Sequence, residues 1–96
     1  MTGPLQGVRV VEIASVVLGP YAAQILGDLG ADVIKIEPPY GDSNRRVGPF
    51  CRNEDMAALF MGCNRNKRSL AINLKTKNGL EAALAVIAAA DVVIHN

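Results

Sequence analysis

Four short runs, Val8 to Ile13, Asp32 to Glu37, Leu70 to Leu74 and Asp91 to Ile94, are rich in aliphatic and β-branched residues and are separated by stretches of helical period. Strands alternating with helices at this spacing read as βαβ units, since a parallel pair needs a crossover long enough to hold a helix. Right-handed crossovers then predict one parallel sheet in the order 3-2-1-4, with the fourth strand beside the first. The expected class is α/β, with a parallel Rossmann-like sheet.

The first crossover helix is expected between Pro20 and Gly30. Pro20 suits the first helical position, where an N–H would be unpaired anyway, and Gly30 suits the left-handed position past a helix end. Ala22, Ile25, Leu26 and Leu29 recur at helical spacing and predict an apolar stripe against the sheet, with Gln24 and Asp28 on the opposite face. Pro38-Pro39-Tyr40-Gly41-Asp42 ends the second strand. The loop through Ser43, Asn44, Arg45, Arg46, Gly48 and Pro49 is long enough to read as one wall of a site. Asn53 is placed to cap a short helix carrying Met56, Leu59, Phe60 and Cys63, and Asn64 to Arg68 reads as a polar turn. Thr76 is placed to cap a longer helix carrying Leu80, Ala83, Leu84 and Ile87. Asn96 follows an apolar strand directly, so these residues are expected to be part of a longer protein that covers that strand's open edge.

Composition narrows the function classes. Half of the 96 residues are apolar and only 4% are aromatic, which suits a sheet covered by helices. Ten basic against nine acidic residues leave a net charge of +1, so no broad footprint for nucleic acid or an anionic membrane is expected. Cys51 and Cys63 are too few for a disulfide framework and lie in no metal-ligand spacing, which points to a reducing cytoplasm and no bound metal. No run approaches the ~20 apolar residues of a membrane span, and the first residues lack a signal-peptide layout.

Ligands of open parallel sheets bind beyond the carboxyl ends of the strands. Those ends are Ala14 to Gly19, Glu37 to Asp42, Asn73 to Thr76, and His95-Asn96. Gly19 opens a helix whose free N–H groups favour an anion, and Glu37 follows it by about 20 positions, as does the ribose-binding acid of dinucleotide sheets. The glycine fingerprint of those sheets is missing, since Ser15 to Gly19 reads Ser-Val-Val-Leu-Gly. Lys75, at a strand end beside a helix start, is placed to reach a phosphate. Arg45, Arg46, Arg65, Lys67 and Arg68 read as solvated turn residues, and His95, the only histidine, as a surface or hydrogen-bonded residue. Glu37, Tyr40 and Asp42 qualify for acid–base work only where their surroundings shift their pKa.

Ordered strings along the whole chain carry more information than any one residue. Leu5-Gln6-Gly7-Val8-Arg9-Val10-Val11-Glu12, Leu18-Gly19-Pro20, and the run from Gly27-Asp28-Leu29-Gly30-Ala31 through Glu37 are followed by Gly41-Asp42. Asn64-Arg65-Asn66-Lys67-Arg68-Ser69-Leu70, Asn73-Leu74-Lys75 and Ala90-Asp91-Val92-Val93-Ile94 come after them. Together they resemble the CaiB/BaiF family, the class III CoA-transferases, which also holds formyl-CoA transferases and α-methylacyl-CoA racemases.

The resemblance implies an enzyme that moves CoA between carboxylic acids through acyl-aspartyl anhydride and enzyme-thioester intermediates. The racemase branch instead removes and returns an α-proton. Acyl-CoA and a carboxylic acid are implied as substrates, with no cofactor and no metal. The nucleophilic aspartate of such enzymes lies past Asn96, so no catalytic residue is assigned here and residues 1–96 alone are expected to transfer no CoA. CoA binding carries over to Val17 and Leu18, to Ile72, Asn73, Leu74 and Lys75, and to Asn96. Lys75 would neutralise phosphate, and Ile72 and Leu74 would flank the adenine. Pro38 stands where some members carry an arginine, a role left to Arg45 or Arg46, and Val17 stands where some place a glutamine. Residues 1–96 correspond to the amino-terminal portion of the large CoA-binding domain. The rest of that domain and a smaller second domain are absent, and the family's interlocked homodimer is the implied assembly. A nucleotide-binding or interaction module without catalysis is the alternative from a different class.

Overall fold

The computed structural model describes residues 2–49 and 57–96. Its strands are β1 (Arg9–Ile13), β2 (Asp32–Glu37), β3 (Lys67–Ala71) and β4 (Val92–His95), and its helices are α1 (Leu18–Asp28), α2 (Ala58–Cys63) and α3 (Lys77–Ala88). A 3₁₀ turn spans Ser43–Arg46. The four strands form one sheet in the order β3-β2-β1-β4, every pair parallel, as the crossover rule predicts. Asn53, Met56 and Cys51 lie outside the described residues. Among the described residues, no helix is long and apolar enough to cross a membrane.

Strand alternation divides the core. On one face Val11 packs with Ile36, Ile72 and Ala83 of α3, with Leu70, Val86 and Ile87 around them. On the other, Val10 packs with Val33, Ala31 and Ala23 of α1. Leu80 and Leu84, expected on the sheet-facing side of α3, are 47% and 54% exposed, while Ala83 is the buried residue.

α1 uses only part of its expected stripe: Leu26 packs, partly buried, against the core. Its buried residues are Pro20, Ala23, Gln24 and Gly27, whereas Ile25 and Leu29 are 43% and 41% exposed. Closeness is part of the reason: a Cβ at Gly27 would stand 3.0 Å from the Asn66 carbonyl oxygen, so the helix meets the turn before β3 at a position with no room for a side chain. Gln24 is buried because its carbonyl accepts the Arg65 N–H at 3.0 Å. Pro20 is the third helical residue rather than the first. Gly30 takes φ 107° past the helix end, as expected of that position.

β3 lies three residues earlier than the apolar pattern indicates at both ends: Lys67 and Arg68, read as part of a polar turn, are strand residues together with Ser69, and Ile72 to Leu74 follow the strand rather than end it. On this edge strand Lys67 and Ser69 are met by the buried carboxylates of Glu12 and Glu37, while Arg68 pairs with the partly exposed Asp32.

Candidate functional site

Beneath the carboxyl ends of the strands lies a buried ionic cluster. Lys35 Nζ donates to Glu12 Oε2 at 2.6 Å and to the Ala14 carbonyl at 2.9 Å. It also lies 3.0 Å from Asp42 Oδ2, an oxygen that has no directed hydrogen bond among the described residues. Lys67 Nζ meets Glu12 Oε1 at 2.5 Å and donates to the carbonyls of Pro20 and Cys63. The side chains of Glu12 and Lys67 are 0% and 2% exposed, which corrects the reading of Lys67 as a solvated turn residue. Burial pushes the Lys67 ammonium down, and the Glu12 carboxylate opposes that shift. The sequence carries a signal for this cluster: Glu12, Lys35 and Glu37 sit two and four positions from Val10 and Val33, on the side of the strands that those valines bury under α1.

Glu37, the acid closing β2, is fully engaged. Oε1 accepts the Asp42 N–H at 2.8 Å and Arg45 Nε at 2.7 Å; Oε2 accepts Arg45 Nη2 at 2.8 Å and the Ser69 hydroxyl. Burial alone would push this carboxyl up, but the bonds from Arg45, Ser69 and the Asp42 amide together with the Arg45 charge hold it at about 2. It is therefore a fixed anion rather than an acid–base group. Its acceptors are also spoken for, which removes the ribose-binding role that a dinucleotide site would need. Arg45 is committed to Glu37 and stacks 4.0 Å from the centre of the Phe60 ring, so it does not stand free as a substitute phosphate ligand. Arg46 donates to the Tyr40 carbonyl.

Above this cluster two adjoining clefts open along the carboxyl edge. The larger, about 430 Å³, is walled by Ile13, Ile36, Ile72 and Leu74, with Lys75 and Tyr40 among its lining residues. The smaller, about 250 Å³, is lined by Ala14, Ser15, Asp42, Ser43 and Asn96 among others. Asn73 shapes the larger cleft's floor: its side chain accepts the Lys75 N–H at 3.0 Å and its carbonyl accepts the Thr76 hydroxyl at 3.0 Å. Among the described residues, no side chain holds the Lys75 ammonium. Apolar walls in a cleft lined also by Lys75, a cation without a side-chain partner among the described residues, suit a flat heterocycle carrying phosphate.

A family model described as CoA-transferase family III matches residues 5–96. The chain belongs to that family. It is 46% identical over 97% of its length to the succinate–glutarate CoA-transferase of Agrobacterium fabrum. The corresponding values are 43% and 98% for the succinyl-CoA:mesaconate CoA-transferase of Haloarcula marismortui. A crystal structure of a CAIB/BAIF family protein from Brucella suis superposes on all of it with a TM-score of 0.93 at 46% identity. The chain spans about a quarter of these proteins, covering 25% and 24% of the two relatives and 26% of the solved structure.

For this family III chain, Ile72, Asn73, Leu74 and Lys75 come together in the larger cleft and Asn96 in the smaller. Val17 and Leu18 stand apart: Val17 precedes the first turn of α1 and is 42% exposed, Leu18 is 86% exposed, and neither lines the two clefts. Among the described residues, no cluster of three or more His, Cys, Asp and Glu is suited to a metal.

The Asn73-to-Lys75 run depends on Gly79. Thr76 caps α3 by accepting the Gly79 N–H at 3.0 Å, and a Cβ at Gly79 would stand 1.9 Å from the Asn73 carbonyl oxygen. Gly79→Ala must push the run away from α3, and an overpacking cost of about 1–3 kcal/mol is expected. A lowered urea midpoint at unchanged slope is the readout, and an unchanged midpoint would contradict this packing.

Proposed function

We propose that the chain is the CoA-binding segment of an acyl-CoA transferase that moves CoA between carboxylic acids. The observation that carries this reading is the larger cleft: Ile72 and Leu74 offer apolar walls, and Lys75 offers a cation without a side-chain partner among the described residues, in a chain of CoA-transferase family III. Lys75 neutralises phosphate, Ile72 and Leu74 flank the adenine, Asn73 holds the run in shape, and Val17, Leu18 and Asn96 border the rest of the ligand's path. Acyl-CoA and a free carboxylic acid are the substrates, with no further cofactor. The catalytic aspartate comes from chain beyond Asn96, and the working protein is an interlocked homodimer in the cytoplasm. Both relatives are CoA-transferases, which supports transfer over racemisation.

Lys75→Ala tests the reading directly. A hydrogen bond to a charged group contributes about 1.5–3 kcal/mol, so the CoA dissociation constant measured by calorimetry on the full-length chain is expected to rise roughly ten- to a hundredfold. Lys75→Arg is expected to keep part of the affinity, because the charge stays while the donor geometry changes. An alanine variant that binds CoA as the parent does would return Lys75 to an ordinary surface role.

A further inference from the structure

Three consecutive carbonyls follow β1, and a side chain from a different part of the chain takes each one. Lys35 of β2 donates to Ala14 at 2.9 Å, Asn96 beyond β4 donates to Ser15 at 3.0 Å, and Asn44 of the 3₁₀ turn donates to Val16. Val16 itself has φ 72°, in the left-handed region that a β-branched residue avoids. Strain of this kind persists only where the surroundings over-determine it. Asn44 is the side chain that acts at the strained residue. It is 4% exposed, and its own N–H is held by Asp42 Oδ1 at 2.9 Å. The Asp42 N–H in turn is held by Glu37. A continuous line of bonds thus runs from the end of β2 to the turn that leads into α1.

That turn borders the smaller of the two clefts. Ala14 and Ser15 line the smaller one beside Asn96, and Val17 and Leu18 follow directly. We propose that Asn44 is a positioning residue of the CoA site: by holding the Val16 carbonyl it keeps the turn left-handed and so sets the cleft wall and the start of α1. The proposal rests on the CoA-binding reading above and adds a residue that itself touches no ligand.

A purely stabilising asparagine and a positioning one differ in what rescues its loss. Glycine enters the left-handed region without a Cβ penalty, so Val16→Gly removes the need for a clamp. In calorimetric titration of the full-length chain with CoA, Asn44→Ala is expected to weaken binding about tenfold, and the Val16→Gly/Asn44→Ala double variant to return within about threefold of Val16→Gly alone. If Asn44→Ala does not fold, the comparison is made wholly in the Val16→Gly background, where a tenfold loss on adding Asn44→Ala would overturn the proposal. A loss in Asn44→Ala that Val16→Gly does not relieve would overturn it too. Parent-like binding by Asn44→Ala while Lys75→Ala still binds weakly would sink the positioning role and leave the CoA site standing. Parent-like binding by both would remove the site and the proposal with it.

Discussion

Lys35→Met is expected to destabilise the protein by about 3–5 kcal/mol, because removing one partner of a buried ion pair leaves the other charge uncompensated. Lys35 is 2% exposed and stands between Glu12 and Asp42, themselves 0% and 4% exposed. Methionine keeps the length of the side chain, so the loss isolates the charge rather than a cavity. Glu12 retains Lys67, at 2.5 Å, but Asp42 Oδ2 is left with no paired cation among the described residues. Chemical denaturation of parent and variant at neutral pH measures the difference. A loss below about 1 kcal/mol, the range of an exposed pair, would mean that water enters the cluster and screens it. Adding Asp42→Asn to Lys35→Met should recover part of the loss, since the stranded carboxylate is then neutral while Glu12 keeps Lys67.

Acid should weaken the fold through Glu37. Its carboxyl is held at about 2 in the folded chain against an ordinary 4.5, so the folded state releases the proton more readily than the unfolded one. The stabilisation is fully present above about 4.5 and is lost as pH falls from there through about 2. At about 1.4 kcal/mol per pH unit the loss comes to about 3 kcal/mol. Unfolding free energies of parent and Glu37→Gln between those pH values provide the check. The parent should lose its advantage over the variant as acid is added, and a constant gap would show that Arg45, Ser69 and the Asp42 amide do not stabilise the ionised form.

The topology was legible because it depends on features that survive without side-chain detail. Runs of valine and isoleucine separated by helix-length segments force parallel pairing, and handedness then leaves little choice of strand order. Ile72 to Lys75 could be placed at the carboxyl edge for the same reason, since a residue that ends a parallel strand has nowhere else to go. The start of β3 was not legible. Lys67 looks like a turn residue until Glu12, distant in sequence, is brought against it, and Ser69 meets Glu37 in the same way. The buried face of α1 was missed for a related reason: a hydrophobic stripe tells which residues gain by burial, but the Asn66 backbone decides how near the helix can come. Arg45 illustrates the limit at the site. Nothing within its own neighbourhood of sequence distinguishes a guanidinium free for phosphate from one locked onto Glu37.

The reach of Lys67 across the sheet makes it a register key. It sits opposite Val33 on β2 yet bonds to Glu12 on β1, a strand with which β3 does not pair. A one-residue slip of β3 would swing this ammonium to the apolar face beneath α3 and strand one Glu12 oxygen. A valine in its place would pack in either register. The lysine thus makes misthreading of the third strand costly at the moment of pairing, so that the run leading to Ile72, Asn73, Leu74 and Lys75 reaches the sheet's edge in only one alignment.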